Sequence, residues 1–424
     1  MSTELLRELL PPMLFFVGLD AVCFLGLRRL VSGAGSKRLP RWVAIAFWGV
    51  PIAVIALIGA RVMTGEEHGG PASTALVVVL LVIYLPKLVF SLFVVFEVAI
   101  RGLVAAAALL IPFERTQRAG VQAWARRFSA IVGVGAATAA VAFFTLIVSV
   151  TVGRNQAAVL DVPVSFAALP KQLDGLTIVQ VSDVHIAGLP SPALGVERLV
   201  AMVNAVGADV VVLTGDIGTV DDLASAPPLL GQLEARLGKL AVLGNHDLGD
   251  KEHAEDNWVD DADKQAKIER LRAVYKDAGF TLLFNEAARL TRGGATFAVL
   301  GVAPFDPHHG YQDADLSQAS LGLDDVSLRV LLTHNPELWF EGVAGATPIA
   351  LTLAGHTHGG QVGLEAGPIS LIPAAHEGRQ WAGLRIEQNQ ALYVSRGWGV
   401  YGLPFRMGIP AEVTVIRFQR RSTA

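Results

Sequence analysis

The sequence predicts an all-α membrane region followed by a layered α/β domain. Three observations support this: long apolar runs in the first 154 residues, a change in charge between the halves, and short apolar runs ending in polar clusters after residue 170. Of the 424 residues, 52% are apolar and 17% are charged, which is too apolar for an ordinary soluble enzyme. Residues 1–154 hold 14 Lys and Arg against 7 Asp and Glu, whereas residues 155–424 hold 20 against 31. We therefore expect two parts in different surroundings.

The first part contains four runs that match the roughly 20 apolar residues a membrane helix needs. They are residues 9–27, 42–63, 75–100 and 128–152. Buried core helices are the alternative, but four such runs in one block disfavour them. A cleaved signal peptide fits poorly, because the first ten residues are not basic and no small-residue cleavage site follows the first run. We expect a transmembrane region over 1–153, a linker over 154–170 and a globular domain over 171–424.

The charges of the connecting loops predict an orientation. The first loop carries five basic residues (Arg28, Arg29, Lys37, Arg38 and Arg41) and the second, residues 64–73, carries none. The third loop again carries five (Arg101, Arg115, Arg118, Arg126 and Arg127). By the positive-inside rule the first and third loops are cytoplasmic. Four spans then place the globular domain outside the cytoplasm.

Two charged residues interrupt the predicted spans. Asp20 lies in the first run and Lys87 in the third, and an ionisable group at that depth is a functional hypothesis by default. Pairing between them, or extension to the interface, is the simpler alternative. Pro86 is expected to bend the third run. The stretch Gly102–Phe113 is too short to span, so we expect it to lie in the interface or re-enter it.

The second part alternates short apolar runs with helical patterns. The runs are "LTIVQVSDVH", "ADVVVLTGD", "LAVLGNHD", "RVLLTHNPE" and "IALTLAGHTH". Apolar residues recur at helical spacing over 194–207 and 267–280, and each of these stretches ends near a glycine. Continuous apolar strands between helices predict sheets buried on both faces. In such folds ligands bind beyond the carboxyl ends of the strands, where all five polar clusters fall.

Each polar cluster is weak evidence alone. An aspartate after a strand often caps a helix, and His334 could be an ordinary core histidine. His356 and His358 are two residues apart, which in an extended segment places both side chains on one side and favours two neighbouring ions. The clusters together contain Asp183, His185, Asp216, Asn245, His246, Asp247, His334, His356 and His358.

The combined donor set predicts a metal centre. Two aspartates, one asparagine and four histidines suit divalent Mn, Fe or Zn. Seven donors exceed what one zinc ion needs, so we expect two divalent ions that share a carboxylate. The single cysteine, Cys23, excludes a disulfide framework and a thiolate cluster. The acidic second half has no basic patch, which argues against nucleic acid as a partner.

The order of these clusters resembles the calcineurin-like metallophosphoesterase superfamily. Its motifs D-x-H, G-D, G-N-H-[DE], H and G-H-x-H occur here as "DVH", "GD", "GNHD", "TH" and "GHTH", in that order. The longer stretches "LAGHTHGGQV", "THNPE" and "SRGWGVYGLPFRMGIPAEV" resemble its membrane-associated bacterial branch, which is similar to YkuE and YaeI. The resemblance implies a four-layer αββα sandwich, and with the loop charges it implies a bacterial inner or plasma membrane protein whose catalytic domain is extracytoplasmic.

The resemblance also implies residue roles. The first ion would be held by Asp183, His185 and His358, the second by Asn245, His334 and His356, with Asp216 bridging them. His246 would face the phosphate and the leaving oxygen, and Asp247 would either orient His246 or cap the following turn. Two dications lower the pKa of a bridging water, and the resulting hydroxide would attack phosphorus.

The residues around the predicted centre leave alternatives open. His253, Trp258, His308 and His309 lie in two inserts and either contact the substrate or are solvated. Arg396 and Arg406 could bind phosphate or form structural ion pairs. The apolar segment "GWGVYGLPF" either forms a lip facing lipid or packs within the domain.

The function that we expect is membrane-anchored hydrolysis of a phosphodiester or phosphomonoester, either a small molecule or a lipid or cell-envelope phosphate. The alternative is a transporter or sensor whose phosphatase-like domain binds a phosphorylated ligand without turnover. Asp20 and Lys87 are the support for that alternative, and the complete ligand set disfavours it. The sequence does not specify the metal, the substrate or the oligomeric state.

Overall fold

The structure is a computed structural model with two compact units, Met1–Val150 and Thr151–Ala424. It describes residues 3–33, 39–64, 71–110, 120, 130–189, 192–225, 230–248, 261–307, 310–366, 369–376 and 380–421.

The first unit is helical, as the apolar runs predict. Its helices are α1 (Thr3–Gly33), α2 (Arg41–Thr64), α3 (Pro71–Val79), α4 (Leu85–Leu110) and α5 (Ala130–Thr151). Among the residues described, three stretches are long and apolar enough to cross a membrane: Arg41–Gly59, Ser73–Ala108 and Ala130–Asn155. The first predicted span lies within α1, and its crossing of a bilayer stays a prediction.

The third apolar stretch is helical throughout but irregular in the middle. A π-helical turn, Leu80–Tyr84, joins α3 to α4 directly before Pro86. Proline has no amide hydrogen for the carbonyl four residues earlier, and a single π turn is one way in which such a helix adjusts. Helix α4 continues through Gly102 to Leu110, so these residues extend the helix of the third stretch, and their place in the interface stays a prediction. Residues 111–113 of that predicted piece lie outside the described residues.

The two charges predicted inside the spans are paired with each other. Lys87 Nζ lies 2.5 Å from Asp20 Oδ1, and the Tyr84 hydroxyl donates a hydrogen bond to Asp20 Oδ2 at 3.2 Å. The ammonium group also lies 4.4 Å from the ring centroid of Phe47 and 4.6 Å from that of Tyr84. The simpler alternative is therefore confirmed. Because each charge neutralises the other, the pair gives the transporter alternative no specific support.

The second unit contains two six-stranded sheets. The first has the order β1-β16-β2-β3-β4-β5, with β1 Ala157–Phe166, β2 Thr177–Val181, β3 Val210–Thr214, β4 Gly238–Val242, β5 Thr281–Leu282 and β16 Ala411–Arg420. The second has the order β14-β15-β11-β10-β7-β6, with β6 Glu286–Arg292, β7 Ala295–Gly301, β10 Arg329–Leu332, β11 Leu351–Ala354, β14 Gly383–Glu387 and β15 Gln390–Val394. Two hairpins pair β8 (Phe305–Asp306) with β9 (Tyr311–Gln312) and β12 (Leu364–Ala366) with β13 (Ile369–Leu371).

Helices cover the outer faces of both sheets. Those described are α6 (Pro192–Asn204), α7 (Val220–Ser225), α8 (Asp261–Asp277) and α9 (Leu316–Ala319), together with a π turn at Trp339–Val343. Successive strand residues point to opposite faces. Val210 and Val212 thus join the core between the sheets, whereas Val211 and Leu213 join the core beneath α6 and α8. The predicted four-layer αββα sandwich is confirmed.

The beginning of the second unit differs from the prediction. Residues 154–170, which the sequence suggested as a linker, contain β1. This strand pairs in parallel with β16 along its whole length, from Ala157 opposite Ala411 to Phe166 opposite Arg420. The pattern is hard to recognise because β1 is an edge strand that alternates exposed and partly buried residues.

The strands that precede the polar clusters run in parallel. In the first sheet β2, β3 and β4 are mutually parallel, and in the second β10 and β11 are parallel. Each predicted motif strand is present, so each polar cluster begins where its strand ends. Parallel strands bring their carboxyl ends to one edge of a sheet, and this brings the clusters together.

We predict that Asp20 and Lys87 stabilise the folded chain through their interaction with each other, so that either charge without its partner is destabilising. Asp20→Asn or Lys87→Met should each lower the unfolding temperature of the full chain in detergent, because removing one partner of a buried pair costs about 3–5 kcal/mol. The double variant should recover most of that loss. Strictly additive effects in this double-mutant cycle would contradict the coupling.

Candidate metal centre

The loops after the motif strands are tied together by backbone hydrogen bonds. The amides of Asp183 and His185, which follow β2, donate to the carbonyls of Gly215 and Asp216, which follow β3, at 3.0 Å in both cases. The backbone amide of His356 donates to both oxygens of the Asp183 carboxylate at 3.1 Å, which connects the two sheets. The loops therefore hold one another in place.

The backbone of these loops is in an unusual conformation. Among the described residues, eight other than glycine have a positive φ, and five of those eight belong to the predicted ligand set. They are Asp183, His185, Asp216, His356 and His358. Such a conformation is strained for residues with a Cβ, and it persists where the surrounding structure enforces it, often at functional sites.

The first group of donor atoms comprises Asp183, His185 and His358. The Nε2 atoms of His185 and His358 are 3.1 Å apart, and His358 Nε2 lies 3.5 Å from Asp183 Oδ1. All three residues are largely buried, with side-chain exposures of 0% for Asp183, 11% for His185 and 8% for His358. The sequence assigned these residues to the first ion, and the fold brings them together.

The second group comprises Asp216, His334 and His356. His334 Nε2 lies 3.0 Å from Asp216 Oδ2 and 3.2 Å from His356 Nδ1. The other ring nitrogen of His334, Nδ1, lies 2.8 Å from the carbonyl oxygen of Thr214. Donation to that carbonyl fixes the tautomer and leaves Nε2 available as a ligand.

Asp216 lies between the two groups. Its Oδ2 is 3.0 Å from His334 Nε2 in the second group and 3.7 Å from His185 Nε2 in the first. Its Oδ1 accepts a hydrogen bond at 2.9 Å from the backbone amide of His246. A Cβ atom at Gly244 would collide with this carboxylate, so the chain can pass Asp216 closely only with glycine there.

Asn245 fits a role as a cation ligand. Its side-chain oxygen is buried, and no hydrogen-bond partner for it lies within the described part of the chain. An unsatisfied buried acceptor is costly unless a bound group completes it. A divalent cation is a group that could complete it, and the amide of the next residue, His246, is bonded to Asp216 of the second group. The residues present therefore suit the metal ions that the donor set predicts.

The histidine pair of "GHTHGG" reaches the two groups by a different geometry from the expected one. We expected an extended segment, but His356 and His358 have φ of 72° and 51°, and Thr357 between them has φ of −80°. The extended-segment argument is therefore wrong, because the three residues form a tight turn. His356 lies in the second group and His358 in the first, which is the distribution that the family resemblance implies.

Buried carboxylates dominate the electrostatics. Burial raises the pKa of Asp183 to about 6. Burial acts in the same direction on Asp216, but His334 and the nearby histidines hold the pKa of Asp216 well below its usual range. Burial would lower the pKa of His334, yet Asp216 and Asp183 outweigh it and raise that pKa to about 10. The buried carboxylates thus favour positive charge at the site.

Asp247 acts on the backbone. Its Oδ1 accepts hydrogen bonds from the amides of Ile217 and Gly218, and its Oδ2 accepts from those of Asp216 and Gly244, all at 2.8–2.9 Å. Burial raises its pKa to about 7, although these donors favour the ionised form. All four amides precede Asp247 in the chain, so these contacts fix the loops after β3 and β4 and are not a cap of the following turn.

His246 lies beside the two groups without belonging to either. Its Nε2 is 4.0 Å from Asp216 Oδ2, and its side chain is 19% exposed. The ring of Tyr401 lies over it, with centroids 4.1 Å apart, and also over His185 at 5.2 Å. Gln361 holds the Tyr401 backbone through its side-chain amide, at 2.7 Å to the carbonyl and 3.1 Å to the amide nitrogen.

The two arginines considered as phosphate ligands have structural contacts. Arg406 is 1% exposed, and its guanidinium donates to the carbonyls of Arg396, Gly397, Gly399 and His358. It therefore cannot serve as a phosphate ligand in this arrangement. Arg396 Nε lies 3.8 Å from Glu412 Oε2, and its guanidinium packs over the Trp381 ring.

Other predicted pocket residues cannot be placed. His253, Trp258, His308 and His309 lie outside the described residues. Within "GWGVYGLPF", Tyr401 is 46% exposed, whereas Trp398 and Phe405 are buried in the domain.

Sequence reasoning missed several residues that contact the donor groups. Asp306 Oδ2 lies 3.7 Å from His356 Nε2, and the Tyr311 hydroxyl donates to the Asn245 carbonyl at 3.3 Å. Both belong to short strands inside an insert, and neither adjoins a motif. Tyr401 was noted only as part of an apolar segment. The one available signal was an aspartate within an otherwise apolar stretch, "VAPFD".

A four-layer sandwich with clustered carboxylate and imidazole donors at one edge defines a metallophosphoesterase domain. Two family models match the chain: "Probable Calcineurin-like phosphoesterase, transmembrane domain" over residues 6–154 and "Calcineurin-like phosphoesterase" over residues 176–360. The chain therefore carries a calcineurin-like phosphoesterase domain, preceded by the transmembrane domain of such phosphoesterases.

Two proteins that are similar in sequence have names that agree with this assignment. A "Transmembrane protein with metallophosphoesterase domain" from Danio rerio is 32% identical over 61% of this chain and 56% of its own length. The "Uncharacterized metallophosphoesterase YkuE" of Bacillus subtilis is 29% identical over 60% of this chain and 82% of its own. The chain spans little more than half the length of the vertebrate relatives that it matches.

Among solved structures, the similarity is low in both sequence and fold. The phosphopantetheinyl hydrolase PptH of Mycobacterium tuberculosis is 12% identical, with a TM-score of 0.29 over 53% of this chain and 91% of that one.

We predict that Asp216→Asn lowers the metal content of both groups. Asp216 is the donor within reach of each, so its loss should reduce bound manganese in the purified full chain from about two ions to fewer than one. Elemental analysis after gel filtration measures this. The matched control is Asp161→Asn, an exposed carboxylate on β1 that pairs with Arg417 of β16, and it should leave the metal content unchanged. Normal metal content in Asp216→Asn would contradict the bridging role.

Proposed function

We propose that this protein is a membrane-anchored, dinuclear, metal-dependent phosphoesterase. The observation that carries the proposal is the Asp216 carboxylate, which lies 3.0 Å from His334 in one donor group and 3.7 Å from His185 in the other. One buried carboxylate between two sets of imidazoles suits a pair of divalent cations better than a single ion.

The donors divide between the two proposed ions. Asp183, His185 and His358 would hold the first, Asn245, His334 and His356 would hold the second, and Asp216 would contact both. Nitrogen and oxygen donors without thiolates suit Mn, Fe or Zn. When bound, two such cations would lower the pKa of a water molecule and neutralise charge on the phosphoryl oxygens.

His246 is the proposed general acid. It is partly exposed, it adjoins Asp216, and it belongs to neither donor group. Its backbone is fixed by the bond to Asp216 Oδ1 and its ring by contact with Tyr401. In this position it would donate a proton to the leaving oxygen of the ester. Asp247 would act as a positioning residue by holding the loop that carries His246.

The proposed substrate is a phosphodiester or phosphomonoester at the membrane, such as a lipid or cell-envelope phosphate. The transmembrane domain would keep the catalytic unit near such substrates. The exposed ring of Tyr401 offers an apolar surface beside His246, which suits an ester with an apolar substituent. The acidic charge of the second half disfavours nucleic acid, whose binding relies on basic contacts.

The proposed location of the catalytic unit is outside the cytoplasm of a bacterial cell. Five basic residues in the first loop and five in the third, with none in the second, support this orientation.

The purified full chain in detergent should hydrolyse bis-p-nitrophenyl phosphate or p-nitrophenyl phosphate with added Mn²⁺, and EDTA should abolish the activity. His246→Asn should reduce kcat by about 10²–10⁴-fold while bound metal stays unchanged, and the loss should be larger for an alkyl ester than for a nitrophenyl ester. The alkyl oxygen is the poorer leaving group and depends more on a proton donor.

Two results would count against these assignments. Absence of turnover with Mn, Fe or Zn would contradict the proposal that this protein is an enzyme. Equal losses on alkyl and nitrophenyl esters would show that His246 does not protonate the leaving group.

A topology reporter checks the orientation. We expect an alkaline phosphatase fusion at the C-terminus to be active and a green fluorescent protein fusion at the same point to be dark, because the former matures outside the bacterial cytoplasm and the latter inside it. The reverse pattern would place the catalytic unit in the cytoplasm.

A further inference from the structure

The β8–β9 hairpin lies beside the second donor group. It is inserted between β7 and β10, with Asp306 directly opposite Tyr311 in its register. Asn285 holds its base, because the side-chain oxygen of Asn285 accepts hydrogen bonds from the amides of Ala303 and Asp315, each at 2.9 Å. Lys264 Nζ, from α8, lies 2.6 Å from the Asp313 carboxylate. The hairpin is thus anchored at both of its ends.

The Asp306 carboxylate faces the outer nitrogen of His356. Its Oδ2 lies 3.7 Å from His356 Nε2, and the Asp306 side chain is only 3% exposed. The other nitrogen of that ring, Nδ1, lies 3.2 Å from His334 Nε2 and so faces the donor group. The ring is therefore oriented with one nitrogen towards the proposed ion and the other towards a buried carboxylate.

The two histidines of the second group have different outer contacts. The outer nitrogen of His334, Nδ1, lies against the backbone carbonyl of Thr214, which is the last residue of β3. The outer nitrogen of His356 meets a side chain from the hairpin. A carboxylate in that position fixes the ring and makes a histidine a stronger metal ligand.

The residue opposite Asp306 reaches a second proposed ligand. The Tyr311 side chain is buried, and its hydroxyl donates to the backbone carbonyl of Asn245 at 3.3 Å. Two paired residues of one hairpin therefore contact two residues proposed for the same ion. The first donor group contacts a different loop, the one that carries Tyr401.

We propose that Asp306 is a positioning residue for the second cation, acting through His356, and that the β8–β9 hairpin supports this ion selectively. The inference rests on the proposed dinuclear function. The His356 Nε2–H would donate to the Asp306 carboxylate and present Nδ1 to the cation. Tyr311 would support the same ion through the backbone of Asn245. Loss of these contacts should weaken the second ion and spare the first.

Metal titration of the full chain in detergent tests this. In wild type we expect two binding events for Mn²⁺ by calorimetry. In Asp306→Asn the weaker carboxylate contact should lower the affinity of one event by about 10–100-fold and leave the other unchanged. Asp306→Ala, which removes the acceptor entirely, should lose more, and Tyr311→Phe should lose less. The matched control is Gln312→Ala, an exposed position on the same hairpin, which should bind as wild type does.

Two further measurements separate positioning from general damage. Without metal, Asp306→Asn should shift the unfolding temperature no more than the Gln312→Ala control does, both relative to wild type. Excess Mn²⁺ should restore the hydrolysis rate of Asp306→Asn, because the ligands themselves remain.

Three outcomes overturn the inference. Wild-type affinity for both ions in Asp306→Asn and Asp306→Ala would remove the role of Asp306. Equal weakening of both ions would show that the hairpin supports the whole site without selectivity. A wild type that binds only one ion would overturn both this inference and the proposed function. By contrast, a wild type that binds two ions but shows no phosphoesterase turnover would overturn the proposed function alone.

Discussion

The buried carboxylate of Asp216 is the constraint on which the catalytic unit depends. It lies at the edge of a hydrophobic sandwich, where an isolated charge would be very costly. His334 offsets that charge on one side and the His246 backbone amide contributes on the other. Asp247 fixes the backbone of Asp216 itself, and glycine at 244 allows the neighbouring loop to approach. Together these features hold one negative charge between two sets of imidazoles.

Keeping that arrangement places strain in the loops. Asp183 and Asp216, which follow adjacent parallel strands, both have left-handed backbones, as do His356 and His358 after β11. Rigid strands with apolar residues on both faces can support such loops, because the cost of about 1–3 kcal/mol per strained residue is small beside the burial of two hydrophobic cores. The strain is concentrated where donors must converge, which is consistent with the proposed function.

The helical unit also contains buried charges, and direct pairing neutralises them. Asp20 and Lys87 are charges in segments that otherwise suit a bilayer, and they neutralise each other beneath the rings of Phe47 and Tyr84. The pair connects α1 to α4, so its natural role is to fix these two helices together. A polar pair of this kind specifies which helix faces meet, because either charge facing lipid would be unfavourable.

The sequence by itself determined the apolar helical region and the motif strands, and it predicted the seven proposed donors, because apolar periodicity and the order of short motifs are local properties of the chain. It did not determine β1, whose edge position gives no continuous apolar run and whose partner β16 is more than 250 residues away. It also suggested an extended geometry for His356 and His358, since a left-handed turn leaves no signal in residue type. Tertiary structure alone placed Asp306 beside His356 and Tyr401 over His246, because such contacts depend on how distant loops meet at the edge of the two sheets.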